Sequence, residues 1–410
     1  MQRASIRAAL VLALLLSSGA GPSAVTGLAQ STDVTGLQFV ADNAATAANA
    51  ASTAPLSASP LGGVDGAPSE RWVALPAGFS MAKIATGLRG PRFMAFDAAG
   101  NLLVADAPAG SVYRYPAAGG SIAASDHPPT ALISGLGGPS NVAVHDGYLY
   151  VGETRSISRF AYAEDEPPGP REVVVADLPT GGHSTRTVLF GFDGSMYVSI
   201  GSSCNICDES DARRAAILRF SSGSPASGSE RFGFGLRNAV GLAIQPTTGL
   251  LWATVNERDN QGAEIPPDLV TIVRSGQNFG WPDCQPPNAT PQEAGRDCSA
   301  ITPPTIGLQA HGAPLGLAFY SGQQFPPDYH NDLLVVQHGS WNRSPPAESK
   351  LVRIHFDGDR PVSAQDFATG WQNADASRWG RPAGVVVAPD GSLIVSDDQS
   401  GTLYRIAYTT

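Results

Sequence analysis

The chain is short of charge, short of cysteine and, after its first residues, without any long apolar run. Charged residues make up 15 % of its 410 residues, and 36 acids against 26 bases leave a net charge of −10. No basic stretch is present that could track a phosphate backbone, which excludes nucleic acid as a partner. The same acidity excludes an anionic membrane surface and favours solubility. A second apolar run of membrane length is missing, so no membrane insertion is expected. Also missing is any sustained helical period, while 46 Gly and 33 Pro are present. That composition suits many short strands joined by tight turns, and a large all-β fold can use this length as one domain.

Only four cysteines occur. Cys204 and Cys207 suit a metal or redox pair in the cytosol and a small local disulfide in an oxidising compartment. Cys284 and Cys298 flank a Pro-rich loop that a second bridge would close. Four cysteines allow three connectivities, and the local one, Cys204–Cys207 with Cys284–Cys298, is the pairing expected here. Zinc is the poorer alternative, since no His pair stands nearby at ligand spacing. The compartment follows from residues 1–29, which read as a secretory signal. Arg3 and Arg7 lead a short apolar core, Ala8 to Leu16, and Gly27-Leu28-Ala29 is a cleavage site. The mature chain is therefore expected to be exported, periplasmic or secreted. Residues 30–70, rich in Ala, Ser, Thr, Gly and Pro, read as a flexible leader in which a short strand could lie at Gly36–Val40. The folded domain is expected over 71–410, beginning near Trp72.

What the chain does have is a repeated phrase. A polar loop with Gly, Pro, Arg or Asn leads into an apolar strand, a turn and a second strand. It runs from Gly90-Pro91-Arg92 into Phe93–Asp97, from Gly138-Pro139-Ser140-Asn141 into Val142–His145, and from Gly181-Gly182-His183 through Arg186 into Val188–Phe190. It returns from Arg237-Asn238 into Val240–Ile244, from Gly312-Ala313-Pro314 into Leu315–Tyr320, and from Arg381-Pro382 into Val385–Ala388. Turn signals such as Asp193-Gly194 and Asp390-Gly391 separate the paired strands. Six copies at a spacing of roughly 45–80 residues predict a six-bladed β-propeller of four-stranded antiparallel blades. A loop that always precedes the innermost strand emerges at one end of the axis. Arg92, Asn141, His183, Arg186, Arg237, Asn238 and Arg381 are therefore expected to converge on one mouth.

Four stretches at that mouth carry chemistry. A lone His is usually structural, but His183 beside several cations would stay neutral and could act as a general base. An Arg can simply stack in a turn, yet Arg crowded together ask for an anionic ligand, and the fork-shaped guanidinium suits carboxylates. The loop Asn256-Glu257-Arg258-Asp259-Asn260 is either a solvated acidic loop or an oxygen-rich site for a hard cation such as calcium. In Gln337–Arg343, Trp341 either packs its loop or joins an amide and a cation in a face for a flat conjugated ring.

These residues resemble those of the soluble quinoprotein glucose/sorbosone dehydrogenase family, in particular its sorbosone and pyranose dehydrogenase branch. The resemblance runs from about Ala74 to Ile406. It is carried by Gly182-His183-Ser184-Thr185-Arg186, Gly235-Leu236-Arg237-Asn238, Asn256-Glu257-Arg258-Asp259, Gly276-Gln277-Asn278-Phe279-Gly280-Trp281-Pro282, His338-Gly339-Ser340-Trp341-Asn342-Arg343 and Gly380-Arg381-Pro382. It implies a propeller that binds pyrroloquinoline quinone (PQQ), a flat tricarboxylate, with calcium. It implies that His183 takes the proton of a sugar C1 hydroxyl while hydride passes to the quinone, giving a lactone, with electrons going on to an external cytochrome or quinone-type acceptor. Arg92, Arg186, Arg237, Asn238 and Arg381 would contact PQQ, and Arg237 would also polarise the quinone oxygen. His338, Asn342 and Arg343 would replace the Lys of the glucose-oxidising pattern. The carbonyl of Arg258 and the side chain of Asp259 would hold calcium. Gly182 stands where that pattern has an acidic residue, so the residue that orients His183 stays unassigned, and Ala383 stands where it has a second Arg after Arg381. Two other readings remain open: a non-catalytic propeller that binds a partner at the same mouth, and a calcium-dependent lactonase, which would need several carboxylates facing the channel.

Overall fold

The computed structural model describes residues 39–40, 55–221, 228–286, 290–292 and 296–409. The expected signal segment and most of the expected leader lie outside them. Six small sheets follow one another around a ring. Their innermost strands are Pro91–Phe96, Asn141–His145, Val188–Phe190, Ala239–Ile244, Pro314–Phe319 and Pro382–Val387. Each pairs antiparallel with the next strand in sequence, so the expected six-bladed β-propeller is the observed fold. Blades 1, 2 and 5 have four strands, and the others add strands at their edges.

The second strand of each blade shows how the ring is held. Leu102–Asp106, Met196–Ile200, Leu251–Val255 and Leu393–Asp397 are buried at every residue. Both their faces meet a neighbouring blade, so apart from the terminal Asp106 and Asp397 they read as largely apolar runs rather than as alternating ones. In blade 1, Leu102 and Val104 pack toward blade 6 with Ile394 and Leu403, whereas Leu103 and Ala105 pack toward blade 2 with Leu149 and Val151. Each fully buried Leu or Val on these faces contributes roughly 1.5–3 kcal/mol. Six such clusters link consecutive blades and close the circle.

Blade 6 is completed by a strand from the N-terminal side. Phe79–Ala85 pairs antiparallel with Thr402–Tyr408. Outside it lie Ser57–Gly62 and Pro68–Leu75, paired with each other. The fold therefore begins upstream of Trp72, within the segment whose composition suggested a leader. Leu61, fully buried in the cluster between blades 5 and 6, gives that segment an anchor. The short strand foreseen at Gly36–Val40 is present as Phe39–Val40, parallel to Ile306–Gly307.

Where the inner strands begin, Phe93, Val240, Leu315 and Ala383 form a buried cluster drawn from four blades. At the other ends of the same strands a cavity of about 740 Å³ is lined by Phe96, His145, Phe190, Phe319 and Val387 among others. The polar loops named above lie at the opposite mouth. Among the described residues no helix is long and apolar enough to cross a membrane.

Candidate active site

Two kinds of loop meet at this mouth. One precedes each inner strand. The other follows each second strand, because in an antiparallel pair the second strand ends where the first began. Contacts between them gather the candidate residues into two linked groups.

The first group centres on His183 and Arg237. His183 is half-buried, and its Nδ1 lies 3.1 Å from the carbonyl and 3.0 Å from the hydroxyl of Ser202. Burial, then the Arg237 guanidinium, lowers its pKa to about 4. The ring is neutral at pH 7, as a general base requires. Beneath it, two buried arginines hold the loop by its carbonyls. Arg186 donates to Pro179, His183 and Thr185, and Arg214 to Thr180, Gly181 and Gly201.

Arg237 is almost fully buried. Its fork donates to the carbonyls of Asn205, Asn256 and Glu257, to Asn205 Oδ1 at 3.0 Å and to Asp259 Oδ2 at 2.8 Å. The other oxygen of Asp259 accepts from Asn342 Nδ2 at 2.8 Å. Asn342 Oδ1 is buried without a hydrogen-bond partner among the described residues. Below this loop Asp268 accepts the main-chain N–H of Glu257 and of Ala313, each at 2.8 Å, and burial raises its pKa to about 7. Asn238 is half-buried beside Gly201, and its carbonyl accepts the N–H of Asn256 at 2.9 Å. Arg258 points away from the mouth. Fully buried, it gives both terminal nitrogens to the carbonyl of Cys284 and so props the loop closed by Cys284–Cys298.

The second group joins blades 5, 6 and 1. Asp398 accepts from Arg92 Nη1 at 2.6 Å and meets His338 Nε2 at 2.8 Å. Burial lowers the His338 pKa to about 4 despite this carboxylate, and His338 is neutral. Burial would raise Asp398, but hydrogen bonding from His338 and the Arg92 charge outweigh it and hold the carboxyl at about 2. Arg381 donates to the carbonyls of His338 at 3.0 Å and Gly339 at 2.9 Å. Arg343 donates to Ala263 and Glu264 across the rim.

Two sequence expectations change. Arg186 has no exposed surface, and its guanidinium carries the His183 loop rather than facing a ligand. Asn141 is turned inward too, its Oδ1 accepting the N–H of Val188 at 2.9 Å. Both expected disulfides are formed, Cys204–Cys207 and Cys284–Cys298. Ser202, Asn205 and Asp398, not foreseen, hold the site together.

The donor set fits an anionic ligand beside a hard cation. Asp259 and the unpartnered Asn342 Oδ1 offer oxygen, the donor such a cation takes. Arg92 and Arg381 commit only part of their five-donor forks to protein partners among the described residues. Two carboxylates at the mouth, Asp259 and Asp398, are each paired with an arginine, which is a poor arrangement for the several free carboxylates a lactonase would need.

The chain is similar to known proteins. A family model described as TrAA12-like matches residues 73–409. The chain is 24 % identical over 392 residues to a pyrroloquinoline quinone-dependent sugar dehydrogenase of Hypocrea jecorina, covering 80 % of this chain and 87 % of that one. It is 27 % identical over 416 residues to a pyrroloquinoline quinone-dependent pyranose dehydrogenase of Coprinopsis cinerea, covering 83 % of this chain but only 55 % of that longer protein. A calcium structure of a Trichoderma reesei carbohydrate-active enzyme of family AA12 superposes with a TM-score of 0.71 at 24 % identity, covering 82 % of this chain and 97 % of that one.

Proposed function

The chain belongs to the TrAA12-like family of soluble PQQ-dependent sugar dehydrogenases, and from that premise we propose that it is an exported, PQQ- and calcium-dependent enzyme that oxidises an aldose or pyranose at C1. The observation that carries the reading is His183: a neutral imidazole, engaged at Nδ1, beside an Arg237 that is itself fixed on Asp259. When bound, PQQ supplies the two-electron acceptor and calcium the charge that makes it electrophilic.

The protein's own residues do the rest. His183 takes the C1 hydroxyl proton through Nε2. Arg92 and Arg381 offer N–H groups to carboxylates. Arg237, with Asn238 beside it, stabilises negative charge that develops during the reaction. Asp259 and Asn342, with the main chain at Arg258, supply the oxygen donors for calcium. His338 and Arg343 shape the blade 5 side. A sorbosone-like aldehyde fits the same chemistry as its hydrate, whose C1 hydroxyl gives its proton to the base, and electrons would pass on to an external cytochrome or quinone-type acceptor. Two disulfides support the exported location.

The test is a titration of the apo-protein with PQQ in excess calcium, followed by absorbance while a panel of aldoses is added. The quinone absorbance is expected to shift on binding and to bleach with at least one sugar. Binding without bleaching would remove the sugar dehydrogenase reading. No binding at all would leave the mouth to another anion and give the binding-module reading the lead.

A further inference from the structure

Ser202 occupies the place from which the base is oriented, and it does so without a charge. Its carbonyl accepts the main-chain N–H of His183 at 2.9 Å and faces the same residue's Nδ1 at 3.1 Å. Its hydroxyl lies 3.0 Å from Nδ1, and the hydroxyl proton is committed elsewhere, to the carbonyl of Cys204 at 2.7 Å. A carbonyl has only lone pairs to offer. A hydroxyl whose proton is spent likewise presents a lone pair. Nδ1 therefore faces two acceptors, and a bare nitrogen there would meet repulsion from both.

We propose that Ser202 is the positioning residue that fixes His183 as the Nδ1–H tautomer, leaving Nε2 as the ring's only lone-pair nitrogen and hence the atom that accepts the substrate proton. The inference rests on the role of His183 proposed above and adds the device that prepares it. The charged groups acting on the ring are Arg237, Arg214 and Asp259. Burial, then two cations against one carboxylate, keeps the ring neutral, so it holds one proton and the choice of nitrogen matters.

The backbone enforces this apposition. A Cβ on Gly201 would collide with His183 Cβ and Asn238 Oδ1, and a Cβ on Gly182 would run into the carbonyls of Ser202 and Ser203. Gly182 also has a φ of +59°, which L side chains rarely adopt. The two glycines let the His183 loop lie directly on Ser202. The N–H of Ser202 in turn donates to the carbonyl of Arg237 at 2.8 Å. The base and the cation beside it are thus registered through one residue.

The experiment is ¹⁵N spectroscopy of histidine-labelled apo-protein near pH 7, with the His183 resonances identified by their loss in His183→Gln. A protonated Nδ1 and an unprotonated Nε2 are expected. A protonated Nε2, or an imidazolium, would overturn the proposal. In Ser202→Ala one of the two acceptors is gone. The tautomers should then mix, and kcat should fall about five- to tenfold, the worth of one hydrogen bond, with KM within about twofold. A Ser202→Ala protein with the native tautomer and native kcat would remove the Ser202 hydroxyl from the role. Should that variant fail to fold, the wild-type spectrum still decides. Since the spectrum needs neither PQQ nor turnover, an inactive holo-protein with the expected tautomer would count against the dehydrogenase reading and leave the assignment of the tautomer to Ser202 standing.

Discussion

Asn205 and Asp259 are joined by a reciprocal pair of hydrogen bonds. Asn205 Oδ1 accepts the main-chain N–H of Asp259 at 2.7 Å, and Asn205 Nδ2 donates to the carbonyl of Asp259 at 2.9 Å. The same Oδ1 also accepts from Arg237, while the Asn205 carbonyl accepts from Arg237 and from the indole of Trp281. One amide thus sets the spacing between the proposed calcium carboxylate and the proposed charge-stabilising cation. Asn205→Ala is expected to weaken calcium binding by about 10- to 100-fold, the usual effect of losing a group that orients a ligand. Calorimetric titration of the apo-protein with calcium checks this. Unchanged affinity with a lowered melting temperature would assign Asn205 to the fold alone.

The two disulfides should separate into a functional one and a stabilising one. Cys204 and Cys207 are three residues apart and close the small loop that presents Asn205, whereas Cys284 and Cys298 are 14 apart. In the chain-entropy account a loop of about 15 residues is worth roughly 3 kcal/mol, and a four-residue loop clearly less. Replacing the pair Cys284 and Cys298 by Ser should lower the melting temperature more. Replacing Cys204 and Cys207 should cost more calcium and PQQ affinity. Thermal denaturation and binding titrations on both double variants decide, and the reverse ranking would detach the small loop from the site.

Much of this was legible in the sequence because the signals are local. Asp193-Gly194 and Asp390-Gly391 mark hairpins, and the apolar runs beside them give six inner strands in their observed places. The mouth was legible only in part. Position before an inner strand gives the end of the axis and not the direction of a side chain. Arg186, one residue ahead of Thr187 and the strand it leads into, turns back beneath its own loop to take three carbonyls. Ser202, Asn205 and Asp398 follow second strands, which return to the same mouth. That rule was available, and it places the Asn256–Asn260 and His338–Arg343 loops correctly. Applied to the residues after Ile200 and Asp397, it would have found the remaining three. Ser57–Gly62 was obscured by its composition, which is that of a leader, whereas its strand is specified by pairing with Pro68–Leu75 and by burial of Leu61.

His183 should leave a mark on stability as well as on rate. Its folded pKa of about 4 lies below the 6.5 of a free histidine. Between those values the unfolded chain binds a proton that the folded chain refuses, so stability falls as pH falls from about 6.5 to 4 and levels off below. In His183→Gln this share of the slope disappears, while that of His338, lowered to a similar value, persists. Melting temperatures from pH 7 to 4 should therefore decline less steeply in the variant. Parallel curves would mean that His183 titrates normally. Dye-coupled turnover of the same variant should drop by about 10²- to 10⁴-fold, the contribution of a positioned general base, with PQQ binding largely retained.

Asp398 should show a pH dependence of the same sign in a more acidic window, and it offers a direct test of the second group. It takes Arg92 on one oxygen and His338 on the other, so it ties blade 1 to blade 5 through blade 6. Its carboxyl is held at about 2, below the ordinary 3.8. A depressed carboxylate stabilises the fold fully above its unfolded pKa, and that stabilisation is lost as pH falls through the folded value. Asp398→Asn should therefore be less stable than the wild type at neutral pH, by about 2 kcal/mol for a partly buried ion pair broken on one side. The gap should close as pH drops from about 4 to 2. The variant also frees Arg92 to reach an anion at the mouth while removing the restraint on its direction. If Arg92 binds a cofactor carboxylate, PQQ affinity should change in Asp398→Asn, and Arg92→Ala should abolish that change in a double-mutant cycle. A gap in stability that persists to pH 2, with additive effects in the cycle, would make the Arg92–Asp398–His338 group a fastening between blades and nothing more.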